Sequence, residues 1–258
     1  MTGAAKTTES GPMSVGATDR PRATAPARDE LPVWIWLWFP PLVLVSALVL
    51  QAVDRELFLT AMESEQGVVE NGTALLLVPA AVFGVLALRL RRALPARWLG
   101  PWLLLLVAAS IYIAGEEVNW GQHWFGWATP DWLAAVNDQN EANLHNTSTW
   151  FDQKPRALFL IWVVVAGLLL PLARRLKRWS FDPGTDWRAW FWPTRIVVPT
   201  AILGAFIRLP EWLGENLDRL REPLLVIRFT EYQEYFFALF LALYLASFYI
   251  RLRRLAVA

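Results

Sequence analysis

Six apolar runs dominate this chain, each close to the roughly 20 residues that a helix needs to cross a bilayer core. They fall at about 33–53, 68–90, 98–117, 156–176, 189–209 and 225–250. A soluble domain of 258 residues has nowhere to bury six such runs, so the chain reads as a multi-pass membrane protein. Composition agrees: 55% of residues are hydrophobic and 18% charged, and the charges cluster between the runs. Lipid offers the backbone no hydrogen-bond partners, so the runs must be helices. The expected fold is all-α, a polytopic transmembrane helix bundle of about six spans. Pro40, Pro41, Pro79 and Pro199 fall inside runs and are expected to kink them.

Residues 1–32 are rich in Thr, Ala, Pro, Gly and Ser without apolar periodicity, and read as a disordered cytoplasmic tail. They lack the short apolar core and cleavage site of a signal peptide. The transmembrane domain then runs over 33–258, with an ordered extracytoplasmic loop expected at 118–150 between spans three and four. Three basic blocks set the orientation. They are Arg89 to Arg97, Arg174 to Arg188, and Arg251 to Arg254 after span six. With six spans all three lie on the side of the N-terminal tail, which the positive-inside rule makes cytoplasmic. The expected location is a bacterial cell membrane with both termini cytoplasmic.

Several chemistries drop out. The absence of Cys removes disulfides, thiolate metal sites, iron–sulfur clusters and a Cys nucleophile. Two His residues cannot build a three-His zinc site. There is no haem or nucleotide motif, no HExxH, no GxSxG and no Gly-rich phosphate loop. The basic residues flank apolar segments instead of lining one face, so nucleic acid is not an expected partner. Residues 137–141 start like an EF-hand loop, but Ala142 stands at its obligatory Gly. Asn137-Asp138-x-x-Glu141 resembles the first acidic motif of UbiA-type prenyltransferases, whose second motif and further spans this chain lacks.

Polar residues gather where membrane insertion does not need them. Span two is entered through Glu63, Glu65, Gly67, Glu70 and Thr73. Span three ends in Gly115-Glu116-Glu117-Val118-Asn119-Trp120-Gly121-Gln122-His123-Trp124, and span six begins Arg228-Phe229-Thr230-Glu231-Tyr232-Gln233-Glu234-Tyr235. Between spans three and four runs Asn137-Asp138-Gln139-Asn140-Glu141-Ala142-Asn143-Leu144-His145-Asn146. The topology puts all four segments at the outer boundary of the bilayer, where apolar-flanked carboxylates still need partners. On a helix Glu231 and Glu234 share a face, and Glu116 aligns with Trp120. Residues 137–146 fit a helix or an extended strand, and both keep Glu141 beside His145.

Plainer readings weigh about equally for any one residue. A Glu near a span end is often a solvated boundary charge, and Asn-rich stretches cap turns. His123 reads as a surface residue more readily than as a ligand. Most Trp residues belong to an interfacial belt. Trp120, Trp124, Trp127 and Trp132 interleave with the polar cluster, and either wall a pocket or anchor an interfacial helix.

The strings Gly115-Glu116-Glu117-x-x-Trp120-Gly121-Gln122 and Asn137-x-Gln139-x-Glu141-x-Asn143-Leu144-His145-Asn146 resemble those of a bacterial family of uncharacterised multi-pass membrane proteins. The likeness extends to Glu70 and to the acidic start of span six. It implies that these segments belong together, and it supplies no activity.

The residues support two main functions. One is an enzyme acting on a lipid or lipid-linked, isoprenoid-type substrate at the outer leaflet. Its catalytic candidates are Glu116, Glu117, Glu141, His145, Glu231 and Glu234. Its substrate-binding candidates are Glu70, Trp120, Gln122, Asn137, Gln139, Asn143, Asn146 and Arg228, with Arg219 or Arg221 as further phosphate holders. A metal would sit on Glu117, Glu141 and His145, and this oxygen-rich set favours Mg²⁺, Mn²⁺ or Ca²⁺ over Zn²⁺. The other is a non-catalytic subunit whose polar rim docks a membrane protein partner. A transporter fits less well, because the middles of the spans are nearly free of charge. In either case membrane lipids are the surroundings. The enzyme reading requires Glu70, Glu116 or Glu117, Glu141, His145 and Glu231 or Glu234 to converge.

Overall fold

The computed structural model of the chain describes residues 30–64, 67–137, 141–144, 147, 149–216 and 227–257. Among them six helices are long and apolar enough to cross a membrane: Trp34–Val53, Val68–Arg89, Leu99–Glu117, Gln153–Lys177, Arg188–Gly214 and Phe229–Val257. These are called spans one to six. No strand occurs among the described residues. The bundle is all-α and its spans lie where the apolar runs placed them.

Span six forms the core. It packs most extensively on span two, and span two packs on span three. Every residue from Tyr235 to Phe248 is buried. Its large aromatics Phe236, Phe240, Tyr244 and Phe248 are fully enclosed by the surrounding spans. Small residues let the neighbours close in. A Cβ on Gly84 would meet the side chains of Val107 and Leu245, and one on Gly167 would meet Ala201 and Phe240. Span one is the opposite case. Leu42, Val45 and Val49 face outward, as suits a helix bathed in lipid. It ends at Asp54, whose side chain accepts from Leu57 N at 2.9 Å and caps the short helix Arg55–Ala61.

The prolines differ in what they do. Pro199 lies in the first turn of Val198–Phe206, where a missing N–H costs nothing, so it starts a helix instead of kinking one. Pro40 and Pro41 lie inside span one, directly after its π-helical stretch Trp34–Trp38, so that span is irregular there. Span five is broken into Arg188–Phe191, Arg195–Val197, Val198–Phe206 and Leu209–Asn216. Pro79 is inside the continuous helix Val68–Arg89.

The two ends of the bundle differ in charge. At one end the guanidinium groups of Arg174 and Arg188 both lie over the Phe181 ring, and Trp98 stacks edge-on against Trp187. Arg251 was expected to follow span six, but the helix extends to Val257 and carries it inside. Its side chain is largely enclosed by protein. It donates to Ala189 O at 2.6 Å and lies 3.7 Å from the Glu30 carboxylate, which also accepts from Thr194 Oγ1 and Ser247 Oγ. Glu30, grouped with the tail from the sequence, is thus bonded to spans five and six. Residues 1–29 of that tail lie outside the described residues. The acidic segments occupy the other end.

Candidate functional site

Span six enters the acidic end through Phe229, and its first turns carry Glu231 and Glu234 on one face. A carboxylate in the first turn is favoured by the exposed N–H groups there. Glu70 holds the equivalent place in span two. Glu117 closes span three at a helix C-terminus, where the dipole disfavours negative charge and a positive partner is needed. One carboxylate oxygen each from Glu117, Glu231 and Glu234 lie within 4.8 Å of one another, and all three side chains are partly buried. Spans two and six approach closely beside them, since a Cβ on Gly72 would come within 2.9 Å of the Tyr235 ring.

Two arginines supply positive charge. Arg156 Nη2 lies 2.8 Å from Glu234 Oε1. Arg228 donates from Nη2 to Glu231 Oε1 at 2.9 Å and from Nη1 to Glu70 Oε1 at 3.1 Å. Its backbone N–H donates to Glu63 Oε2 at 2.7 Å. Arg228 therefore clamps the entrance of span two to the start of span six. Burial would pull its guanidinium down, but Glu231, Glu70 and Glu63 outweigh that and the net shift is upward. Burial holds the Glu63 carboxyl above its ordinary range, and the hydrogen bond and charge of Arg228 offset only part of this. Within this cluster Glu63, Glu70, Glu117, Glu231 and Glu234 face Arg156 and Arg228.

Glu116 faces elsewhere. Its Oε1 accepts from Trp120 Nε1 at 2.8 Å and its Oε2 from Leu144 N at 2.6 Å. Between them the chain reverses through Asn119, Trp120 and Gly121 with φ of 48°, 52° and 85°. A left-handed Trp is sterically costly, and the bond to Glu116 helps hold it. Gly115 makes room, because a Cβ there would lie 2.8 Å from the Trp120 indole.

The same carboxylate anchors the loop beyond. Asn137 Nδ2 donates to the backbone oxygens of Glu141 and Asn143 at 2.9 Å each. Asn143 Nδ2 bonds Asn119 Oδ1 and, at 2.9 Å, Glu141 Oε2. Gln122 takes Ala142 N on its oxygen at 2.7 Å and gives its amide to Thr129 Oγ1 at 2.8 Å. The described residues 141–144 form neither helix nor strand, because these side chains replace ladder hydrogen bonds.

The sequence candidates therefore divide. Glu117, Glu231 and Glu234 come together, with Glu70 joined through Arg228. Glu141 lies within electrostatic reach of Glu70. Glu116, Trp120, Gln122, Asn137 and Asn143 build the loop's framework instead. Arg228 has its donors engaged by protein carboxylates. His145, Gln139 and Asn146 lie outside the described residues, as do Arg219 and Arg221. Sequence reasoning singled out neither Arg156 as a partner nor Glu63 as an anchor. The sequence carried no distinct signal for Arg156, since the connection before span six at the same end also holds several arginines. No family model, curated protein or solved structure matches the chain.

Proposed function

We propose that this integral membrane protein binds a divalent cation on Glu117, Glu231 and Glu234 and acts on a lipid or lipid-linked substrate of isoprenoid type. The observation that carries the reading is the approach of three carboxylates from two spans to within 4.8 Å at a bilayer boundary. Like charges that close need positive charge among them, and Arg156 and Arg228 balance only part of it. An all-oxygen set suits Mg²⁺, Mn²⁺ or Ca²⁺, which keep coordination positions for phosphate or hydroxyl oxygens of a substrate. Glu141 and His145 remain candidates for completing the site. The basic end is then cytoplasmic by the positive-inside rule, and the site faces the outer leaflet of a bacterial cell membrane. Membership in the bacterial family whose motifs the chain resembles belongs to this reading.

A second reading keeps the carboxylates without a cation. The engagement of Glu234 by Arg156, and of Glu231 and Glu70 by Arg228, favours it. The acidic end would then be a docking rim of a non-catalytic subunit. Manganese titration of chelator-treated protein in detergent, read by electron paramagnetic resonance, separates the two. One ion per chain, weakened at least about tenfold by Glu117→Gln and by Glu234→Gln, supports the cation site. No binding by the unaltered protein leaves the docking rim.

A further inference from the structure

Residues 118–137 are built inside out. Asn119 and Asn137 are 5% and 3% exposed and point into the polar knot described above, together with the half-buried Gln122. The large apolar side chains of the same segment point outward: Trp124 is 62% exposed, Phe125 80% and Trp132 67%. A loop surrounded by water does the reverse, because each exposed aromatic forfeits burial worth kcal/mol while each buried amide must find partners. Asp131 is the one acidic or basic residue other than His between 118 and 137. The outer surface of this loop is chemically an aromatic belt.

Its position says what it meets. Span three shows Ile111 and Tyr112 on its outward face, within a helix long and apolar enough to lie in lipid. The Tyr112 ring touches that of Trp120 at 6.2 Å between centroids, so the lipid-facing strip passes from the helix straight onto the loop. The left-handed turn at 119–121 is what bends the chain back along the membrane surface there. Indole rings with a polar edge and an apolar body gather at such depths.

We infer that the loop lies within the outer headgroup region of the bilayer, with Trp124, Phe125 and Trp132 inserted among the lipids as a collar. It is held in that posture by Glu116 and the asparagines beneath it. The occupant of the apolar surface is the membrane itself and not a second protein. This does not depend on what the neighbouring carboxylates bind.

The absence of Cys makes the test direct, since any thiol introduced is the sole one. Nitroxide labels on Trp124→Cys, Phe125→Cys and Trp132→Cys, in nanodiscs of phosphatidylcholine and phosphatidylglycerol, report collisions with oxygen and with a water-soluble nickel chelate. Leu75→Cys in span two and Ser180→Cys at the basic end, both exposed, give the lipid and water references. None of the three loop substitutions removes a buried side chain, and elution as a single species checks that each variant is folded. The expected result is an oxygen-to-nickel ratio several-fold above that of Ser180→Cys and below that of Leu75→Cys, the signature of a shallow depth. A ratio equal to that of Ser180→Cys puts the loop in water and overturns the inference. Protection from both reagents means that protein covers the surface, and overturns it equally.

Discussion

Glu116 and Glu117 are neighbours in the chain and serve two different networks. Glu116 accepts from Trp120 and Leu144 and fixes the loop, while Glu117 turns toward Glu231 and Glu234. The helix end at Val118 places successive side chains about a hundred degrees apart, so one boundary residue can build a scaffold and the next a site.

The pair separates by conservative substitution. A glutamine at 116 offers one oxygen where two N–H donors need one each, so Glu116→Gln strands either Trp120 Nε1 or Leu144 N. The expected loss is ~1–3 kcal/mol of stability, with faster proteolysis within 118–144. Glu117→Gln removes a crowded charge and strands no donor, so it leaves thermal stability unchanged or higher while lowering cation affinity. Equal destabilisation by both variants would make Glu117 structural as well.

Arg228 joins Glu63, Glu70 and Glu231 from one guanidinium and its own backbone. Arg228→Gln is expected to cost roughly 1–2 kcal/mol, discounted because the side chain is 41% exposed and partly screened. Arg228→Lys recovers only part of this, since an ammonium cannot span two carboxylates as a fork does. Thermal denaturation in detergent reads both. A neutral Arg228→Gln would show that the clamp is not needed to close spans two and six.

Glu63 links stability to pH. Its carboxyl, raised above 4.5 mainly by burial, holds a proton in the folded chain that the unfolded chain has already released. Between 4.5 and that raised value the folded state binds more protons, so this group's contribution to stability falls as pH rises. Glu63→Gln removes the term. The stability difference between the unaltered protein and Glu63→Gln should shift against the unaltered protein from mildly acidic to neutral pH. A difference independent of pH would contradict the burial of this carboxyl.

Orientation is checked by reporter fusions. Joints after residues 60 and 130 and in the connection before span six should all report the extracytoplasmic side. A cytoplasmic signal from the joint at 130 would reverse the bundle, and with it the leaflet assigned to the collar.

Span positions and the two charged ends were legible in the sequence, because run length and charge bias survive without knowledge of packing. The pairing of Glu231 with Glu234 followed from helical spacing, and so did the contact of Glu116 with Trp120. The backbone that makes the second contact did not, since a left-handed Trp has no sequence signature. Polar residues with the same signal divided between site, as with Glu117, and scaffold, as with Glu116. Spacing places Gln122, Asn137 and Asn143 near the helix ends, but only the fold decides whether an amide faces a ligand or a neighbouring peptide. The central place of span six was not legible, because a stretch without a polar face such as Phe236 to Tyr244 suits lipid as well as a protein core.

That central place has a consequence for biogenesis. Spans two and five are synthesised before the helix on which both pack, so those faces stay uncovered during insertion even though spans two and three can already meet each other. Gly84 and Gly167 each meet a side chain of an earlier span, Val107 and Ala201, as well as one of span six, whereas the space at Gly204 stays open until Phe236 and Phe237 arrive. Glu70 of span two likewise has no Arg228 to meet until then. Maturation of this protein is therefore a closing event. An early arrest that omits span six should leave an inserted but incompletely packed intermediate, open to membrane quality-control proteases.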